Sequence, residues 1–193
     1  MNSWSEGAYA DARAYLANRA QVVTELGPRL EPGDLLLDLA CGDAAFADFL
    51  PGGVRYLGVD GSPEMVAAAG QRGREAVVAD LNDFVPPEPV AVTTCFRAIY
   101  YTHNRRSFFA RVADYTRKKL VFDVNPRQYE LNDVLGDLRA TGWTSIALRP
   151  FFSPQRVALP NLLLTALRAL EDVEPLAHVL LRFRFTYVCA AAR

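Results

Sequence analysis

The chain has 193 residues, a hydrophobic fraction of 51%, a charged fraction of 22% and a net charge of −1. That is enough chain for one domain that buries about 70% of the surface its unfolded form exposes. It offers no basic field to attract nucleic acid, no C-x-x-C pair among Cys41, Cys95 and Cys189 to suggest zinc or a disulfide framework, and no apolar run that would span a bilayer. The first residues, Met1 to Glu6, lack the basic and apolar regions of a signal peptide. The expectation is a cytoplasmic protein with reduced thiols, a monomer or homodimer, with no nucleic-acid, membrane or metal partner.

In chain order, residues 8–26 read as an Ala-rich helix closed by Gly27-Pro28. A first strand, 34–39, is an apolar run without polar alternation, the pattern of a strand covered on both faces. Asp43 reads as the N-cap of a helix Ala44–Leu50. A second strand, Val54–Val59, ends in Asp60. Ser62-Pro63-Glu64 then supplies a cap, an N1 proline and an early acid for a helix reaching about Arg72. A third strand, Ala76–Ala79, ends at Asp80, and Pro86-Pro87-Glu88-Pro89 is a loop. Val90–Phe96 is a fourth strand, Arg105–Arg117 a helix, Lys119–Val124 a fifth strand, and Glu130–Ala140 a helix closed by Gly142.

From Thr144 the pattern changes. Thr144–Phe152 reads as a strand and Asn161–Leu170 as an amphipathic helix. Leu181–Cys189 alternates apolar and polar residues like a half-buried, antiparallel edge strand. Alternation of strands and helices favours a doubly wound, mostly parallel sheet with helices on both faces. The organisation expected is one domain over 1–193, with 1–30 as a helical cap and 150–178 as a candidate lid.

Three acids, Asp38, Asp60 and Asp80, end three successive strands, which places them at the carboxyl edge of the sheet, where open α/β folds bind ligands. Singly, each acid is as well read as a helix cap or turn residue. Ala40 and Gly42 keep the first turn slim enough for a ligand to approach the backbone. A dinucleotide site would want G-x-G-x-x-G here, but Gly42 to Ala47 supplies one glycine of three, and Asp43 would repel phosphate. No P-loop occurs.

The segment Asp38-Leu39-Ala40-Cys41-Gly42-Asp43-Ala44 resembles motif I, (D/E)-x-G-x-G-x-G, of the class I S-adenosylmethionine (SAM) dependent methyltransferases, with Ala at the first and third glycine positions. Asp60-Gly61-Ser62-Pro63-Glu64-Met65 is similar to the family's D-x-S-x-x-M, and Ala79-Asp80-Leu81 to its third motif. The resemblance covers roughly residues 30–145. It implies a seven-stranded sheet with an antiparallel last strand, SAM as donor and S-adenosylhomocysteine as product. The donor-binding residues it implies are Asp38, Ala40, Cys41, Gly42, Asp60, Gly61, Met65, Asp80, Leu81 and Phe96. Asp60 would take the ribose hydroxyls, Met65 would lie against adenine, and Asp80 with the Leu81 N–H would read the adenine edge. Cys41 and Cys95 read as small buried residues rather than nucleophiles.

Methyl transfer needs the acceptor held in line in a dry site, and a base if the acceptor bears a proton. Tyr100 and His103, after strand four, are the catalytic candidates, His103 as general base. Arg97 and Arg127, at the ends of strands four and five, suit an acidic acceptor, or else a surface ion pair with Asp83 or Glu130. By the same resemblance, Tyr9, Arg13 and Arg19 on the N-terminal helix would close over the methionine end of the donor; the plain reading is a helix covering the sheet edge with solvated arginines. Phe151, Phe152 and Leu159–Leu163 would wall an apolar acceptor pocket, or simply be core. His178 reads as structural. Asn125-Pro126-Arg127-Gln128-Tyr129 departs from the N-P-P-(Y/F) signature of methyltransferases acting on nucleic-acid bases. The activity expected is methylation of a small acidic or apolar molecule. The alternatives are a non-catalytic SAM or nucleoside-binding accessory protein and a peptide or protein methyltransferase.

Overall fold

The computed structural model describes residues 7–152, 156–171, 173 and 186–193. Its seven strands are β1 (Leu35–Leu39), β2 (Arg55–Asp60), β3 (Ala76–Val78), β4 (Val90–Cys95), β5 (Thr116–Val124), β6 (Ser145–Pro150) and β7 (Tyr187–Ala192). They form one sheet in the order β3-β2-β1-β4-β5-β7-β6. All neighbouring pairs are parallel except β5–β7 and β7–β6. The described helices are α1 (Ala12–Glu25), α2 (Pro63–Gln71), α3 (Arg105–Tyr115), α4 (Leu131–Ala140) and α5 (Asn161–Glu171).

The period of two along each strand divides the core into two layers. Leu35, Leu37 and Leu39 of β1 and Leu120, Phe122 and Val124 of β5 face Phe108, Phe109, Val112, Val134, Leu138 and Trp143, the layer under α3 and α4. Leu36 and Val121 face the other way, into a layer with Leu16, Ala20, Val22 and Val23 of α1. Burial on both faces is what an uninterrupted apolar strand implies. Asp38 and Asp123 interrupt these runs at positions that share a face with Leu36 and Val121, and both therefore sit on the α1 side.

The helix caps follow local chemistry. Ser62 Oγ accepts the Met65 N–H at 3.3 Å, and Asn104 Oδ1 accepts that of Ser107 at 2.9 Å. Asp11 Oδ1 caps α1 through the Ala14 N–H.

Three expectations need correcting. The segment expected as helix Ala44–Leu50 is a 3-10 turn over Ala45–Phe49, and its cap position is Ala44 at φ 55°, not Asp43. The helix expected to run to Arg117 ends at Tyr115, because β5 already begins at Thr116, where Thr93 and Thr116 share a hydroxyl bond of 2.6 Å. The last strand is not a half-buried edge strand. β7 lies between β5 and β6 with every residue buried, and β6 is the edge. The reason is its sequence: Tyr187-Val188-Cys189-Ala190-Ala191-Ala192 is a continuous apolar run. The alternating stretch 181–185, His178 and parts of the candidate lid at 150–178 lie outside the described residues.

Candidate functional site

Strand order reverses between β1 and β4, so the connections leaving their carboxyl ends diverge and open a crevice. A cleft of about 700 Å³ occupies it, lined among others by Ala40, Gly42, Asp60, Met65, Asp80 and Phe96. The size lies within the usual range of cofactor sites.

Ala40, Gly42 and Ala44 all adopt left-handed backbone, at φ 59°, 58° and 55°. Two of the three are alanines, each at a cost of roughly 1–2 kcal/mol. The loop curls so that the Gly42 N–H donates to Asp60 Oδ2 at 2.8 Å, which ties the β1 turn to the β2 turn. Gly58 in β2 makes room for this loop, since a Cβ there would come within 2.7 Å of the Cys41 sulfur.

Asp60 is itself held by its second oxygen, which accepts the Ser62 N–H at 2.9 Å. A carboxylate offers about four lone-pair sites. Two face the backbone, and two remain for a pair of vicinal hydroxyls. Asp80 is exposed, and one oxygen receives both the backbone and the side-chain N–H of Asn82, at 2.7 and 2.8 Å. These bonds hold its pKa below the ordinary carboxylate value. The Leu81 N–H has no acceptor among the described residues. An ionised acceptor beside a free donor is the pattern that reads the edge of an adenine.

A smaller recess of about 50 Å³ adjoins the cleft, lined by Tyr9, Arg19, Asp38, Cys41, Asp43 and Phe96 among others. Asp38 is buried and accepts hydroxyl bonds from Thr94 at 2.6 Å and Tyr56 at 2.9 Å. Desolvation pushes its pKa up to about 6, against the pull of those hydroxyls and of Arg19. Arg19 is buried too, with its guanidinium 4.4 Å from the Phe96 ring centre and 3.0 Å from the Tyr15 hydroxyl. The recess thus pairs a buried anion with a buried cation, a complement to a zwitterionic amino-acid end. Burial raises the Cys41 and Cys95 thiols well above their ordinary values, so neither is a thiolate.

The structure therefore brings Ala40, Gly42, Asp60, Gly61, Met65, Asp80, Leu81, Phe96, Arg97 and Tyr100 together around one cleft. Asp38, Cys41, Tyr9 and Arg19 line the recess beside it. Tyr100 stands at the rim, and burial with the neighbouring Tyr101 raises its phenol to about 12, so it stays a hydrogen-bond donor. Other candidates lie apart. His103 is exposed, with its backbone N–H on Asn82 Oδ1, and it lines neither cavity. Arg127 is exposed beyond β5, and Arg13 is exposed on α1. Neither Arg97 nor Arg127 forms an ion pair with Asp83 or Glu130 among the described residues. Phe151 packs edge-on against Tyr15 in the core, and Leu162 is solvent-exposed.

A third cavity, of about 230 Å³, opens on the other side of Arg97 and Tyr100. Tyr15, Ile99, Asp123, Asn125, Gln128 and Thr186 complete its walls. Asp123 is a site residue that no motif announces, although its signal is the same as that of Asp38: a single acid breaking an apolar strand near its carboxyl end.

This strand order, with one antiparallel strand inserted next to an otherwise parallel edge, is that of the class I SAM-dependent methyltransferases. Residues 36–119 match the family model described as a methyltransferase domain. The chain is similar to trans-aconitate 2-methyltransferase of Mycobacterium tuberculosis (strain ATCC 25177 / H37Ra), 33% identical over 98 residues, which are 49% of this chain and 36% of that protein. The match to the Mycobacterium bovis (strain BCG / Tokyo 172) protein has the same extent. The chain thus spans about a third of the length of the curated relatives it matches.

Among solved structures it resembles the methyltransferase in complex with the Haloferax volcanii Trm112 activator, with a TM-score of 0.67, 16% identity and coverage of 97% and 92% of the two chains. It also resembles magnesium protoporphyrin IX methyltransferase from Synechocystis PCC 6803 with bound SAM, with a TM-score of 0.60, 18% identity and coverage of 84% and 71%. Among the described residues no helix is long and apolar enough to cross a membrane.

Proposed function

We propose that this protein is a SAM-dependent methyltransferase acting on a small molecule. The observation that carries the reading is the convergence of the Gly42 turn, Asp60, Met65 and the Asp80–Leu81 edge on one cleft at the switch point of the sheet. When bound, SAM supplies an electrophilic methyl group on a good leaving group. The protein's own part is positioning and exclusion of water. Asp60 holds the ribose hydroxyls with the lone pairs its backbone bonds leave free. Asp80 and the Leu81 N–H fix the adenine edge, and Met65 covers the ring. Asp38 and Arg19, which line the adjoining recess, would hold the charged methionine end.

A small acceptor is supported by the 230 Å³ cavity beyond Arg97 and Tyr100. An acidic group on the acceptor is supported by the Arg97 side chain at the junction, and by the trans-aconitate named for the curated relatives. His103 lines none of the three cavities, which leaves it without support as the base.

The test is calorimetric titration with SAM and S-adenosylhomocysteine. Micromolar binding is expected, weakened at least tenfold by Asp60→Ala. Absence of binding to either would refute the reading.

A further inference from the structure

The 230 Å³ cavity is built around a carboxylate that no step above uses. Asp123 sits near the carboxyl end of β5, on the α1 face of the sheet, paired in register with Val188 of β7. One of its oxygens accepts the Arg97 N–H at 2.6 Å. That bond serves the fold, because Arg97 is a non-glycine residue in left-handed backbone at φ 55° and needs a fixed partner. No side-chain donor reaches the carboxylate among the described residues, and besides Arg97 it meets only its own backbone N–H. Tyr15, Tyr100, Asn125, Gln128 and Thr186 surround the same space, so the walls are mainly polar. Arg97 and Tyr100 belong both to this cavity and to the donor cleft, and they mark where the two meet.

Resting on the donor-site reading above, we infer that this cavity is the acceptor subsite and that Asp123 receives the hydrogen bond of the nucleophile, which is a hydroxyl or amine and not a carboxylate. A second carboxylate directed at Asp123 would bring two anions together in a partly desolvated site, where their repulsion is large. An O–H or N–H group instead supplies the side-chain-type donor that this carboxylate lacks, on a lone pair its backbone bonds leave over. An acidic group elsewhere on the same molecule is accommodated by the Arg97 side chain. In the reaction the nucleophile's lone pair forms the new bond to the methyl carbon as the carbon–sulfur bond breaks. The bonding pair leaves on sulfur, and the nucleophile's proton passes to Asp123 and then to solvent. Burial raises the Asp123 pKa, against Arg19 and the Arg97 N–H, which favours a carboxylate that takes a proton.

The test uses two probes of similar shape with a common acid end, 4-hydroxybenzoate and terephthalate. Each is titrated into the protein saturated with S-adenosylhomocysteine, with the Asp123 carboxyl carbon and the Arg97 amide followed by NMR. The expected result is that 4-hydroxybenzoate shifts both signals and binds at least tenfold more tightly than terephthalate. Asp123→Asn should erase that preference while changing S-adenosylhomocysteine affinity less than twofold, and with labelled SAM it should slow methyl transfer to 4-hydroxybenzoate at least tenfold. Equal or tighter binding of terephthalate, no response of the Asp123 signal to either probe, or an unchanged preference in Asp123→Asn would overturn the inference. The first two outcomes need only the parent protein. Failure of S-adenosylhomocysteine to bind would remove the donor-site reading itself, and is seen before either probe is added.

Discussion

At the scale of single residues, the site is built from carboxylates whose surroundings make them different reagents. Asp80 is exposed and strongly ionised, Asp60 is clamped by two backbone N–H groups, and Asp38 is buried with a pKa near 6. For Asp38 the sign is definite. Its folded pKa lies above the unfolded value, so its contribution to stability is complete below about pH 4 and is lost as pH rises through 6. A shift of about two units corresponds to ~3 kcal/mol. Asp38→Asn, which keeps an acceptor for a hydroxyl, is expected to gain about that much stability relative to the parent between pH 4 and pH 7 in paired urea denaturation curves. Asp38, Asp60 and Asp80 were legible in the sequence because each lies at or beside the carboxyl end of a short apolar strand and inside a recognisable local motif. Asp123 breaks its strand in the same way, but no motif surrounds it. Its role depends on which residues β7 and α1 bring near, and that is a tertiary fact.

At the scale of elements, short-range chemistry was the more readable part. The Ser62-Pro63-Glu64 start of α2 and the apolar β1 run follow from rules that act over a few residues. The 3-10 turn at Ala45–Phe49 was missed because Asp43 has another use. It is buried and receives Arg72 at 3.1 Å, while Arg72 also reaches Asp48 at 3.1 Å. Arg72 follows the last residue of α2, so this pair of bridges fixes the helix end to the loop that frames the cleft. The Asp43 pair is shielded from solvent and counts for more than a surface bridge. Arg72→Ala is expected to lower stability by about 1–3 kcal/mol, measured by urea denaturation, and to weaken donor binding through the loosened loop. A loss no larger than that of an exposed bridge would show that the loop does not depend on it. The placement of β7 inside the sheet was missed because the alternating stretch before it drew the strand too early, whereas the apolar run Tyr187–Ala192 carries the signal of a strand covered on both faces.

At the scale of the whole molecule, the order β3-β2-β1-β4-β5-β7-β6 gathers four acids from strands far apart in sequence onto one edge. The two layers of the core divide the labour. The α3–α4 layer holds the apolar cluster of Leu37, Phe108, Phe122 and Trp143, whereas the α1 layer also carries Arg19, Asp38 and Asp123 near the top of the sheet. These charges cost stability in the free protein and are offset when a ligand of complementary charge enters. A ligand that binds only the folded state at about 100 times its Kd adds ~2.7 kcal/mol. For a chain of this size that is a rise in Tm of about 5–10 °C. S-adenosylhomocysteine is expected to produce such a rise, and adenosine alone a smaller one, because adenosine leaves the Asp38–Arg19 recess unused. Equal rises would show that the recess takes no part.

The most direct test of the account is a crystal structure of the protein with S-adenosylhomocysteine. The adenine edge is expected on Asp80 and Leu81, the ribose hydroxyls on Asp60, and the amino-acid end at Asp38 and Arg19, with the sulfur directed toward Arg97 and Tyr100. Nucleoside density elsewhere on the molecule, or a cleft that stays empty at millimolar ligand, would contradict it.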